Sequence, residues 1–328
     1  MRDEVRRRCE SLIANRDAIQ KVFSWGNGIL WLAGAEIFTA KEKRVDIDAL
    51  RRCKKLIDEK TGAFSNFRGS VKCAVTAMLE VSGNPEGTLE NGLSVHKLLK
   101  KQMWDSAFLP MAAMVIARLA PAGRYEELVV KTKQIYDKMK TEHPFLTSSE
   151  DSALCALMAL SEKSTDELVT EAEQCYRLLQ KRGFGKNAVQ SLSHVLALCD
   201  GTPEEKCNKT IALYDELLAN GCKYGVSYEL PTLGVLAMEH DNYEALADEI
   251  KEVDAWLSGQ KGFGFWGSIT KKQRLMFAGM LLQEPEGQND LSESAMVQST
   301  VAIVVAQEAA TLAAISACTA ASVAAANS

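Results

Sequence analysis

Residues 168–203, LVTEAEQCYRLLQKRGFGKNAVQSLSHVLALCDGTP, contain the pattern from which the rest of the chain is read. Leu168, Ala172, Cys175 and Leu179 recur at three- and four-residue spacing and mark the apolar face of an amphipathic helix. Gly183-Phe184-Gly185 interrupts that spacing as a turn, and Val189 to Leu198 then predicts a second helix, apolar around more of its circumference. The second helix ends at Asp200-Gly201-Thr202-Pro203, where Thr202 suits a helix cap and Pro203 the first turn of the next helix.

The same order of amphipathic helix, aromatic turn and apolar helix recurs on both sides. The aromatic landmarks are Phe64, Phe108, Phe145, Phe184, Tyr224 and Phe265, separated by 44, 37, 39, 40 and 41 residues; Trp104 in place of Phe108 makes the first separation 40. Amphipathic A helices precede them, with stripes Leu50, Cys53, Ile57; Leu128, Ile135, Met139; Ile211, Tyr214, Leu218; and Ile250, Val253, Leu257. Apolar B helices follow at Val71 to Val81, Pro110 to Leu119, Ala153 to Leu160, Leu230 to Met238 and Leu275 to Leu282. Gly83-Asn84-Pro85 and Pro121-Ala122-Gly123 fall where a B helix must stop, and Thr147 with Glu150 fits a capping box.

A period near 40 residues with no alternating strand pattern predicts an all-α fold of tandem αα-hairpin repeats. A helix pair cannot bury its apolar face alone, so the pairs stack as a solenoid or close as an α/α toroid. The more charged A helices are expected on the convex side and the B helices lining the concave face. Residues 1–45 read as N-terminal capping helices, with Trp25-Gly26-Asn27-Gly28 introducing the apolar run Ile29 to Phe38. Residues 46–283 then hold six repeats, 284–293 a linker, and 294–328 an Ala-rich C-terminal helix packed on the repeats.

Composition sets the class of protein: 47% of residues are hydrophobic and 25% charged, which suits a packed core rather than a disordered chain. The net charge of -5 gives no general attraction to nucleic acid or anionic lipid, so neither partner is expected. The nine cysteines include no Cys-x-x-Cys pair and read as small buried hydrophobes in a reducing, cytoplasmic compartment. Val301 to Ala326 is long enough to span a bilayer, but its Ala, Ser and Thr content and the central Gln307 and Glu308 make a membrane span unlikely.

The chain holds no Gly-x-Gly-x-x-Gly, no Walker loop, no His-Glu-x-x-His and no Gly-x-Ser-x-Gly, so no cofactor is expected. His96, His143, His194 and His240 stand apart from other ligand types, and no metal is expected. Asp46-Ile47-Asp48 is a carboxylate pair, and its place before Leu50 suits helix capping better than a cation. Phe145-Leu-Thr-Ser-Ser-Glu-Asp151, Asn187-Ala-Val-Gln-Ser-Leu-Ser-His194, Thr270-Lys-Lys-Gln-Arg-Leu-Met-Phe-Ala278 and the tail around Gln307-Glu308 resemble a bacterial family of uncharacterised proteins, the domain-of-unknown-function 4003 family. The resemblance covers nearly the whole chain. It implies a bacterial, cytoplasmic, helical protein and carries no activity.

Two functions fit these readings. The first is a scaffold that binds a protein or peptide partner on its concave face. The second is an α/α-toroid enzyme or small-molecule binder with a polar cavity at the B-helix N-termini. For the second, Arg68, Lys72, Asp151, Gln190, His194, Glu229 and Arg274 fall four to ten residues after a landmark, and Glu308 of the tail is expected to meet a basic residue such as Arg68, Lys72 or Arg274. Glu308 shares a stripe with Val305 and Leu312, so docking the tail would bury a carboxylate that must be paired or protonated. Deleting residues 294–328 is therefore expected to lower the melting temperature and to expose apolar surface to ANS; an unchanged Tm without dye binding would separate the tail from the core.

Overall fold

The computed structural model describes residues 1–24, 28–264 and 267–283. Among these residues the chain is all-α, with fourteen α-helices and no strand. In order they are α1 (Asp3–Val22), α2 (Gly28–Thr39), α3 (Ile47–Lys60), α4 (Lys72–Val81), α5 (Pro85–Leu99), α6 (Leu109–Leu119) and α7 (Tyr125–Glu142). They continue as α8 (Ser152–Ala159), α9 (Thr165–Leu179), α10 (Lys186–Leu196), α11 (Pro203–Ala219), α12 (Leu230–Glu239), α13 (Tyr243–Ser258) and α14 (Lys271–Met280). Odd-numbered helices are amphipathic and half-exposed, and even-numbered ones are largely buried, which is the alternation of A and B helices read from the sequence.

Two compact units are present. As far as they are described, one gathers residues 14–39 and 43–169, and the other residues 1–13, 40–42 and 170–283. In the unit built on 43–169, α3 packs on α4, α5 on α6 and α7 on α8, while neighbouring A helices touch, α3 with α5 and α5 with α7. In the unit built on 170–283, α11 packs on α12 and α13 on α14, and α12 lies between α10 and α14.

Local chemistry sets the helix ends. Asp46 caps α3, its carboxylate accepting from the Asp48 and Ala49 amides at 2.9 and 3.1 Å, so this aspartate serves a helix start. Thr202 and Glu205 form a capping box on α11 with Pro203 in the first turn. Gly183 stands after α9 at a φ of 74°, a left-handed conformation that a side chain resists, which is why the turn of the quoted stretch begins with glycine. Gly92 on α5 answers a different demand: a Cβ there would lie 2.5 Å from the Met114 sulfur of α6, so its absence lets the two helices close.

Several expectations are revised. Asp151, rather than Glu150, completes the capping box before α8, and its partner is Ser148; Thr147 turns its hydroxyl to the Met139 carbonyl at 3.1 Å. The A helix of the second pair, α5, was not anticipated, because Gly87 and Gly92 dilute its stripe of Leu89, Val95 and Leu99. On α11 the buried face is Cys207, Thr210, Leu213 and Leu217, one residue out of phase with Ile211, Tyr214 and Leu218, and Leu218 is exposed. Adjacent apolar residues at 213–214 and 217–218 left that phase ambiguous. Helix α2 is buried on nine of its twelve residues and packs on α4.

The B helices are also more enclosed than a surface-lining role requires. Every residue of α8 is buried, as are Leu109 to Ala117 of α6 and Leu230 to Ala237 of α12. Their many alanines let neighbours approach closely, and each larger side chain such as Leu157 or Met114 contributes roughly 2 kcal/mol by leaving water.

Among the described charged residues, Lys206 is one of the most deeply buried. Lys206 on α11 is 1% exposed, and its ammonium pairs with Glu171 and donates to the Cys199 carbonyl at 3.1 Å. Removing one partner of a buried pair leaves the other uncompensated, whereas exposed pairs such as Lys60 with Glu90 contribute little. Lys206→Ala is expected to lower the unfolding free energy by about 3 kcal/mol in urea titrations, and Lys60→Ala by less than about 1 kcal/mol.

Candidate functional site

Five of the polar residues singled out in the sequence, Arg68, Lys72, Asp151, Glu229 and Arg274, bond helix ends or turns. In the unit built on 43–169, Arg68 donates to the Asp58 carbonyl, to the Thr61 carbonyl at 2.6 Å and to the Thr61 hydroxyl at 3.1 Å. Lys72 meets the Asp58 carboxylate at 2.5 Å. Arg68 and Lys72 thus share one partner and tie the end of α3 to the start of α4. Asp151 accepts the Ser148 amide at 2.8 Å, and burial pushes its carboxyl up to about 7 against the lowering effect of that bond.

In the unit built on 170–283, Gln190 and His194 sit one turn apart on α10 and are both buried. Glu229 is buried at the entry to α12 and accepts the Ser227 amide at 3.1 Å. Arg274 is held by Asp254 at 2.6 Å and by the Phe263 carbonyl at 2.8 Å, which joins α13 to α14. A cavity of about 490 Å³ in this unit is lined by none of these residues; Arg2, Arg8, Glu239, Asp241, Glu249 and Gln283 are among its walls. Arg2 pairs with Glu249 and Arg8 donates to the Gln283 carbonyl at 2.5 Å, so its two arginines are already bound. Glu308, Trp25, Phe265, the linker and the Ala-rich tail lie outside the described residues.

Among the described residues no group of three histidine, cysteine, aspartate or glutamate side chains is gathered to hold a metal ion. The eight described cysteines are all buried and unbridged, and burial pushes the Cys73 thiol up to about 12, which keeps it protonated. No helix among the described residues is long and apolar enough to cross a membrane.

Three of the aromatic landmarks are among the exposed large apolar side chains of the described residues. Phe64, Trp104 and Phe145 have relative exposures of 102%, 87% and 99%, and they occupy the equivalent turn, between A and B helix, of three successive pairs. The later landmarks behave oppositely: Phe184 is buried edge-to-face against Tyr214 at 5.0 Å, and Tyr224 is buried with its hydroxyl 2.6 Å from that of Thr232. In the first two turns a second aromatic, Phe67 or Phe108, fills the core position a few residues later and leaves the landmark outside. Of the alternatives at the second position, Trp104 therefore matches Phe64 and Phe145, with separations of 40 and 41 residues.

These turns are braced rather than loose. Asn66 donates to the Asp105 carboxylate at 2.8 Å and to its carbonyl at 3.2 Å, which ties the Phe64 turn to the Trp104 turn. His96 lies 3.1 Å and Lys100 2.7 Å from the same carboxylate, and Phe67 stacks edge-on against His96 at 5.1 Å. Burial opposes the charge of Asp105, but hydrogen bonds from Lys100 and Asn66 outweigh it and hold the carboxyl below its usual range. The third turn is fixed by Lys140, which donates to the Pro144 and Thr147 carbonyls at 2.5 and 2.6 Å. Periodicity marked these aromatics in the sequence, while their exposure depends on which neighbour fills the core.

Comparison with known proteins follows the same line. The model of the family described as protein of unknown function DUF4003 matches residues 15–310, and the chain belongs to that family. It is 25% identical to the uncharacterized protein YeaA of Bacillus subtilis (strain 168) over 299 residues, covering 87% of this chain and 86% of that protein. No solved structure matches.

The pH response of Asp151 follows from its burial. A carboxyl whose folded value is about 7 against an ordinary 3.8 binds its proton more tightly when folded, so it contributes stability that falls as pH rises from 4 to 7. Asp151→Asn keeps an acceptor for the Ser148 amide and removes the titration. In chemical denaturation this variant is expected to show a flatter stability profile between pH 4 and 7, and to be more stable than the parent above pH 7.

Proposed function

We propose that the protein is a non-enzymatic helical-repeat scaffold whose helix pairs support a docking surface for a macromolecular partner. The observation that carries this reading is the row of exposed aromatics, Phe64, Trp104 and Phe145, one on each of three successive, braced turns. Three such side chains present about 500 Å² of apolar surface taken together, comparable with the largest apolar patches on ordinary monomers. The enzyme reading relied on Arg68, Lys72, Asp151, Gln190, His194, Glu229 and Arg274; bonds to helix ends or turns give Arg68, Lys72, Asp151, Glu229 and Arg274 a structural reason, and Gln190 and His194 are buried on α10. A docking surface on the turns also differs from one on the B helices, which are enclosed. Trp and Phe suit this role because they add contact area at a small cost in side-chain entropy.

Because these rings bury almost nothing within the chain, replacing all three with serine is expected to leave the Tm within about 2 °C of the parent, as for other surface substitutions. Photo-crosslinking p-benzoylphenylalanine, placed one position at a time at 64, 104 and 145 in cells that make the protein, is expected to give discrete protein or lipid adducts. The same probe at the exposed Ala212 on α11 is expected to give none. Absence of adducts at all three turns would overturn the scaffold reading.

A further inference from the structure

The A helices of the unit built on 43–169 begin acidic, with Asp48 on α3, Glu86 on α5 and Glu126 and Glu127 on α7. Their last turns differ: α3 ends Asp58-Glu59-Lys60 and α7 ends Lys140-Thr141-Glu142, while α5 ends with His96 and Lys97 and no acid. Lys100 and Lys101 follow α5 immediately. Lys97 and Lys101 are exposed, and among the described residues neither forms an ion pair. Acids here are mostly matched: Asp58 by Arg68 and Lys72, Glu59 by Lys55, Asp137 by Lys133 and Asp105 by Lys100, while Glu142 is exposed. Lys97, Lys100 and Lys101 make the Trp104 turn locally basic although the chain as a whole is acidic. At physiological ionic strength charges act over roughly 8 Å, so a surface brought against this turn meets its lysines first.

We propose that the edge carrying the three aromatics docks on an anionic lipid bilayer, with Phe64, Trp104 and Phe145 entering the headgroup region and Lys97 and Lys101 facing lipid phosphates. The proposal rests on the scaffold reading and names what the scaffold meets. Three observations select a bilayer over a protein or a nucleic acid. The rings stand clear of their turns at near-complete exposure, so each offers almost its whole surface as a separate knob. A rigid protein partner would need three matching pockets, whereas a bilayer interface deforms around separate rings and is the medium in which Trp and Lys side chains settle together. Single-stranded nucleic acid is gripped by a basic channel with stacked aromatics inside it, which separate knobs do not form. Finally, α3 touches α5 and α5 touches α7, so the equivalent turns belong to neighbouring helices, whose axes lie roughly 10 Å apart.

The test is co-sedimentation of the full-length chain with vesicles of phosphatidylcholine alone or with about 30 mol% phosphatidylglycerol, at low and high salt. Binding is expected with the anionic vesicles, weakened by salt and weakened at least ~tenfold in Phe64→Ser/Trp104→Ser/Phe145→Ser. Lys97→Glu/Lys101→Glu is expected to lower binding to anionic vesicles with circular dichroism unchanged. Brominated lipids are expected to quench tryptophan fluorescence in the parent and to quench it less in Trp104→Phe. The proposal is overturned if the chain stays in solution with both vesicle types, or if the triple serine variant binds as well as the parent, which would assign binding to another segment. Crosslinks at 64, 104 and 145 that lead only to protein, or tighter binding of poly-uridylate than of anionic vesicles, would also overturn the bilayer while leaving the scaffold reading in place.

Discussion

Everything in this chain depends on the need to cover helices that are apolar on nearly every side. Helix α8 reads Ser-Ala-Leu-Cys-Ala-Leu-Met-Ala and has no polar face to offer water, so it is stable only when surrounded. Helices α6 and α12 impose the same demand. The amphipathic helices supply the cover by turning Leu50, Cys53 and Ile57, or Leu246, Ile250 and Val253, inward. Their opposite faces carry the charge that keeps the surface wet. The alternation of the two helix types is the consequence, and so is the short turn that must connect each pair.

That demand also explains where the conspicuous polar residues end up. A turn between two closely packed helices leaves backbone carbonyls and amides that need partners, and long cationic side chains reach them without entering the core. Arg68, Lys140 and Arg274 each bond a carbonyl in or next to such a turn, and Glu229 accepts an amide there. Residues that look like an acid-base set in the sequence share a position because each successive turn poses the same hydrogen-bonding problem. Lys206 solves a related problem inside the core, where Glu171 and a carbonyl compensate its charge.

The exposed aromatics stand outside this logic, since they satisfy no bond and fill no void. A turn braced by Asn66, Asp105 and His96 could carry small polar residues at its tip with no loss of packing. Large rings held on rigid supports are instead suited to entering another surface, because the support removes the entropy loss of ordering a loop on contact. Lys97, in the last turn of α5 beside Trp104, stands where a helix end favours a cation.

The sequence by itself determined the all-α class, the alternation of helix types and many helix starts, including the caps at Asp46 and Thr202. These features were legible because helix periodicity and capping act over a few residues, so a local reading captures their physics. Where apolar residues were doubled, as at 213–214 and 217–218, or diluted by glycine, as in α5, the local signal was ambiguous and tertiary packing made the choice. The fate of the landmarks was likewise settled only in three dimensions. Phe64 and Phe184 occupy the same place in their turns, yet one is exposed and the other buried, because Phe67 already fills the core beside the first while the second packs against Tyr214. Whether a side chain meets water depends on volumes contributed by distant residues, and a repeating pattern along the chain does not contain that information.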